Sequence, residues 1–228
     1  MSDVNGPIAR PMRSFGRVKG RRLKPSQARV LRDFAPAVGL DLDRPLDLAA
    51  MFQGRPAALE IGFGAGEHLV GQATSRPEWG VIGVEPFVNG FSACLRDVEE
   101  AGLANVRLHQ GDARDVIARL PDGGLGRVWI LFPDPWPKLR HHKRRLIQPA
   151  FISELSRILR PGGDVRFATD WRNYADWTLR AFLAAPDFEW AADAAADWRQ
   201  PFAEHIETRY EAKRLGDCAP IFLRFVRV

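Results

Sequence analysis

From Pro56 onward, short apolar runs alternate with longer stretches in which apolar residues recur at helical spacing. Ala57–Ile61, Gly80–Val84, Val106–Leu108, Val128–Phe132 and Asp164–Thr169 read as strands, and the nearly continuous apolar character of the first two is that of strands covered on both faces. Glu67–Arg76, Asn89–Ala101, Asp115–Leu120 and Leu146–Leu159 read as the helices between them, with Arg160-Pro161-Gly162-Gly163 as the turn that ends the last. A further helix, Trp171–Leu183, precedes two late strands, Phe188–Ala191 and Ile221–Val226. Strict βαβα alternation predicts an α/β fold, a doubly wound and mainly parallel seven-stranded sheet with helices on both faces. Residues 26–228 make one domain, opened by a helix over Ser26–Phe34 with Ser26 as its cap. Residues 1–25, rich in Gly, Pro and Arg, form a basic N-terminal arm without a core of its own.

Composition narrows the class. The 228 residues are 46% apolar, enough for one sizeable core. Cys94 and Cys218 stand far apart without a C-x-x-C spacing or a neighbouring histidine cluster, which encodes neither a disulfide framework nor a metal site. No apolar run reaches membrane-spanning length and no secretory signal opens the chain, so a cytoplasmic protein is expected. The net charge of +5 is unevenly spread. Residues 1 to 29 carry +7 and Lys138–Arg145 carry +5, leaving the rest at −7. An acidic body with two concentrated basic segments points to a polyanionic partner.

The chemistry collects just after the strands, where an open α/β sheet binds its ligands. Strand one runs into Glu60-Ile61-Gly62-Phe63-Gly64-Ala65-Gly66, a glycine turn that opens a helix. Glu60 beside it would repel a dinucleotide pyrophosphate but favours the cationic sulfonium and ammonium of S-adenosylmethionine. Glu85, at the end of strand two, is placed for ribose hydroxyls, and Asp112, after strand three, for the adenine edge. Capping a helix or facing solvent is the plain alternative for each acid. After strand four come Pro133-Asp134-Pro135-Trp136-Pro137, a stiff loop that presents Asp134 and Trp136, and then the cationic run Lys138, Arg140, His141, His142, Lys143, Arg144 and Arg145. The histidines lack partners at ligand spacing and are polar contacts rather than metal ligands.

The glycine block, the run Phe132–Arg145, Ala168-Thr169-Asp170-Trp171 and Thr208-Arg209-Tyr210-Glu211 together resemble the bacterial single-chain tRNA (guanine-N7-)-methyltransferases, from about Phe15 to the last strand. The resemblance implies the Rossmann-like class I methyltransferase fold and transfer of a methyl group from S-adenosylmethionine to N7 of guanosine 46 in the tRNA variable loop. Position by position it implies cofactor contacts at Glu60, Gly62, Gly64, Gly66, Glu85, Asp112 and Asp134. Asp134, read as the catalytic residue, and Asp170 are both candidates to stabilise the charge that develops on the purine, and either can instead bind the guanine N1 and N2 hydrogens. The resemblance implies substrate contacts at Lys138, Asp170, Thr208, Arg209, Tyr210 and Glu211, and RNA contacts over Arg140–Arg145. Amino-methylating relatives carry a second proline where Trp136 stands, which argues against an exocyclic amine as acceptor. A methyltransferase acting on another RNA base or on ribosomal RNA, and a non-catalytic RNA-binding protein on the same scaffold, are the competing readings. The oligomeric state, monomer or homodimer, is left open.

Overall fold

The computed structural model describes residue 20 and residues 22–228. Most of the expected arm, including Arg10, Arg13, Arg17, Lys19 and Arg21, lies outside the described residues. The strands β1 (Ala57–Ile61), β2 (Gly80–Val84), β3 (Val106–His109), β4 (Leu125–Leu131), β5 (Leu159–Thr169), β6 (Phe188–Trp190) and β7 (Ile221–Arg227) form a single sheet in the order β3-β2-β1-β4-β5-β7-β6. The first five are parallel, and β7 runs antiparallel to both β5 and β6. The chain winds outward from β1 to β3 and then returns to place β4 on the other side of β1. That reversal opens a crevice at the carboxyl ends of β1 and β4.

The helices are α1 (Pro25–Asp33), α2 (Ala35–Val38), α3 (Leu48–Phe52), α4 (Glu67–Ser75), α5 (Val88–Glu100), α6 (Ala113–Ile117), α7 (Pro149–Ile158), α8 (Arg172–Leu183) and α9 (Ala196–Arg199). Period-two alternation along the strands divides the core. Leu59, Ile82, Val128 and Phe167 pack on one face, and Ala58, Val81 and Trp129 on the other with Leu69 and Leu95. All five residues of β1 and of β2 are buried, as strands covered on both faces require, Glu60 being the one charged residue among them.

Two local expectations are corrected. Arg160–Gly163 does not end a helix in a free turn but belongs to β5. Leu159 pairs with Leu125 and Asp164 with Arg127, so the intervening residues bulge out of the ladder, and Gly162 takes φ 76°. Ser26 does not cap α1. Pro25 takes the first turn, where its missing N–H costs nothing, and Gln27 Oε1 accepts from the Lys24 N–H at 3.0 Å.

Candidate active site

At the carboxyl ends of β1, β2 and β4 lies a cavity of about 400 Å³, walled by Gly62, Glu85, Asp112, Phe132, Asp134 and Trp136 among others. The glycine turn reaches it through Gly62. Gly62, Gly64 and Gly66 take φ of 76°, 60° and 91°, and a Cβ on Gly62 or Gly64 would meet nothing within 4 Å. Glycine is therefore required there by the backbone, and the space beside it is open to a ligand. Glu85, 7% exposed, braces the turn from β2: Oε2 accepts from the Gly64 N–H at 2.8 Å and Oε1 from the Phe87 N–H at 2.8 Å. Burial nevertheless raises its pKa above the ordinary glutamate value, ahead of the lowering by those two bonds. Each oxygen keeps a lone pair for a hydroxyl donor. Asp112 lines the cavity and caps α6 through the Arg114 N–H at 3.0 Å.

Glu60 is not on the cavity wall. It is 2% exposed, and its Oε2 accepts from His68 Nδ1 at 2.8 Å. Gln72 Nε2, which donates to the Glu204 carbonyl, also lies 3.2 Å from His68 Nε2, so the proton of the imidazole sits on Nδ1. Glu60, expected as a direct cofactor contact, is held by His68 of α4 in this structure. His68, which carried no motif and read as a structural histidine, is the partner of Glu60 that the sequence did not announce. Its only signal was that it lies eight positions beyond Glu60, within the first turn of the following helix.

Asp134 is presented by strained backbone. Phe132 and Trp136, each followed by proline, take φ of 50° and 43°. Residues before proline are ordinarily extended and L-residues avoid positive φ, so each costs on the order of 1–3 kcal/mol. Asp134 stands at the cavity mouth, and the desolvating wall raises its pKa above the usual aspartate value. The Trp136 ring packs edge-on against His141 and carries the Arg144 guanidinium 5.0 Å from its centre.

The basic run divides. Lys138, Arg140 and Lys143 point to solvent, whereas Leu139–Arg144 winds into a 3-10 turn that draws His142 against Trp177. Arg145, expected among the RNA contacts, is turned inward. It is 1% exposed, donates from Nε to the Pro135 carbonyl at 3.0 Å and from Nη2 to Asn173 Oδ1 at 2.6 Å, and lies over the Tyr174 and Trp177 rings. A guanidinium so enclosed holds the Asp134 loop on α8.

Asp170, at the end of β5, is 3% exposed, and neither carboxylate oxygen has a hydrogen-bond partner among the described residues. Gly216 is pressed against it: a Cβ there would lie 2.3 Å from its Cγ. The Thr208–Glu211 segment closes the same side. Thr208 Oγ1 accepts from the Glu211 N–H at 3.2 Å, Arg209 pairs with Glu67 at 2.6 Å, and the Tyr210 ring lies 5.6 Å from that of Phe132. Burial first, then the Asp170 charge, raises the Tyr210 pKa. Among the described residues no group of His, Cys, Asp and Glu could hold a metal ion, and no helix is long and apolar enough to cross a membrane.

A family model described as a putative methyltransferase matches residues 54–222. The tRNA (guanine-N(7)-)-methyltransferase of Caulobacter sp. (strain K31) is 53% identical over 220 residues, 96% of each chain. That of Hyphomonas neptunium is 50% identical over 94% of this chain and 99% of its own. In fold, the chain matches the 16S rRNA (adenine(1408)-N(1))-methyltransferase from Catenulisporales acidiphilia with a TM-score of 0.56 at 22% identity, covering 83% of this chain and 92% of that one. It also matches the 16S rRNA methyltransferase KamB with a TM-score of 0.55 at 15% identity, over 82% and 96%. A cavity at the switch point that the glycine turn reaches, a strained Asp134 loop and relatives that match from end to end lead to one assignment: the chain belongs to the tRNA (guanine-N(7)-)-methyltransferase family.

Proposed function

We propose that this protein transfers the methyl group of S-adenosylmethionine to N7 of a guanosine in tRNA, guanosine 46 by the resemblance. The observation that supports guanine as acceptor is Asp170. A buried carboxylate with two unpartnered oxygens is costly unless a ligand supplies donors. Guanine offers adjacent N1–H and N2–H donors, whereas adenine and cytosine turn a ring lone pair toward such a group. The segment that carries Gly216 lies against Asp170, and the Cys218 N–H donates to the Asp170 carbonyl at 3.1 Å.

The open side of Gly62 and Gly64, with Glu85 and Asp112 on the wall, fits the cofactor, which when bound supplies a methyl group on a cationic sulfur. Guanine N7 carries a free lone pair and no proton, so the chain needs no general base. Its task is to align the two reactants. Asp134 faces the positive charge that appears on the purine as the bond forms, and its raised pKa marks a carboxylate that gains from a cation's arrival. Transcripts in which guanosine is replaced by 7-deazaguanosine are expected to accept no methyl group while still binding. Methylation of such transcripts would move the acceptor away from N7.

The divided basic run gives a second expectation. Removing Lys138, Arg140 or Lys143 should weaken tRNA binding and flatten the log–log salt dependence by somewhat under one unit per lost phosphate contact. Arg145→Ala should leave that slope unchanged and instead loosen the Asp134 loop, lowering turnover. Binding across a salt series checks both, and a flatter slope in Arg145→Ala alone would reverse the division.

A further inference from the structure

One face of α4, which opens directly from the glycine turn, is occupied by the segment leading to Thr208–Glu211. Glu67 pairs with Arg209, the His68 ring lies 5.7 Å from that of His205, and Gln72 Nε2 donates to the Glu204 carbonyl at 2.5 Å. At Gly71 the approach is so close that a Cβ would lie 2.2 Å from Ile206 Cδ1. Positions 67, 68, 71 and 72 are spaced to share one side of a helix, so the contacts form a continuous seat. The Glu204 carboxylate adds an anchor on the sheet, meeting Arg127 at 2.8 Å and also Arg166, while Phe202 packs on Phe222.

His205 is the hub. Its ring is 3% exposed, it packs edge-on against Phe222, and its Nε2 donates to Glu211 Oε2 at 2.7 Å. Its other nitrogen is buried without a partner among the described residues. An imidazole that leaves one buried nitrogen bare is a poor choice for packing alone. What it supplies is a donor to the Glu211 carboxylate.

We propose that His205 and Gly71 are positioning residues for the acceptor base: they seat Thr208–Glu211 against the methyl-transfer centre without touching substrate or cofactor. This rests on the reading that the segment meets the tRNA. His205→Phe keeps a ring and deletes both nitrogens; loss of the bare one offsets part of the cost of leaving the Glu211 carboxylate without this donor, so the Tm should fall only slightly. Glu211 loses this donor, however, and KM for tRNA should rise about tenfold, with S-adenosylmethionine affinity unchanged. His205→Gln, which can donate again, should recover most of that loss. Gly71→Val, which drives Ile206 off α4, should raise KM in the same way.

The experiment is steady-state kinetics on unmodified tRNA with cofactor titration and thermal melts for these three variants, and Tyr210→Ala as control. Raised KM in His205→Phe and Gly71→Val, with recovery in His205→Gln, supports the proposal. Unchanged KM in both, or cofactor affinity and Tm falling together with it, overturns the proposal. If Tyr210→Ala raises KM while the seat variants do not, the seat fails and the reading of the segment survives. An unaffected Tyr210→Ala overturns both.

Discussion

Asp134→Ala is expected to lower turnover by a factor on the order of a hundred or more, since alignment and stabilisation of developing charge can each contribute that much. The carboxylate sits between two residues at positive φ, each followed by proline, so the loop is built to hold this side chain where it is. The variant should bind tRNA normally and melt near the parent temperature, because Asp134 stands at the cavity mouth rather than in the core. Asp134→Asn should keep the loop's shape yet recover little of the rate, because an amide lacks the charge that meets the cationic purine. Single-turnover kinetics at saturating substrates measures this, and near-parental rates in Asp134→Ala would remove the residue from the reaction.

The second large effect belongs to Glu85. Both of its oxygens accept backbone N–H groups, one of them from the glycine turn itself, so Glu85→Gln sets an amide N–H against one of these donors. Loss of a charge-assisted bond together with a disturbed turn is worth about 1.5–3 kcal/mol, an expected weakening of cofactor binding of about ten- to a hundredfold. tRNA affinity should hold, since the basic loop is untouched. The pH dependence follows from the same residue. The ionised form makes the contacts and its pKa is raised, so cofactor affinity should be level at neutral pH and fall on acidification, beginning above the pH at which an ordinary glutamate titrates. Calorimetry across pH tests this, and affinity that holds down to the ordinary glutamate range would contradict it.

Much of the frame was legible in the chain because its physics is local. Ala57–Ile61 and Gly80–Val84 are bounded by turn residues and apolar but for Glu60, and both strands appear with those limits. Glycines at 62, 64 and 66 announce positive φ whatever surrounds them. What stayed hidden depends on partners remote in sequence. Nothing near Arg145 distinguishes it from Arg144, and only the approach of Tyr174, Asn173 and Trp177 on α8 turns it inward. Glu60 reads as a cavity acid until His68 is seen to face it from α4. The seat of Thr208–Glu211 joins residues on α4 to residues about 130 positions away, as Gln72 to Glu204 shows. Short helices such as Ala35–Val38 and Ala196–Arg199 carry too few residues for any periodicity to register.

Unmodified tRNA incubated with the protein and methyl-labelled S-adenosylmethionine, digested to nucleosides and separated, is predicted to carry its label in 7-methylguanosine, and to lose it when Asp134 is alanine. Label in a methylated adenosine, in an exocyclic amine or in guanosine N1, or no label with active cofactor binding, would contradict methyl transfer to guanosine N7.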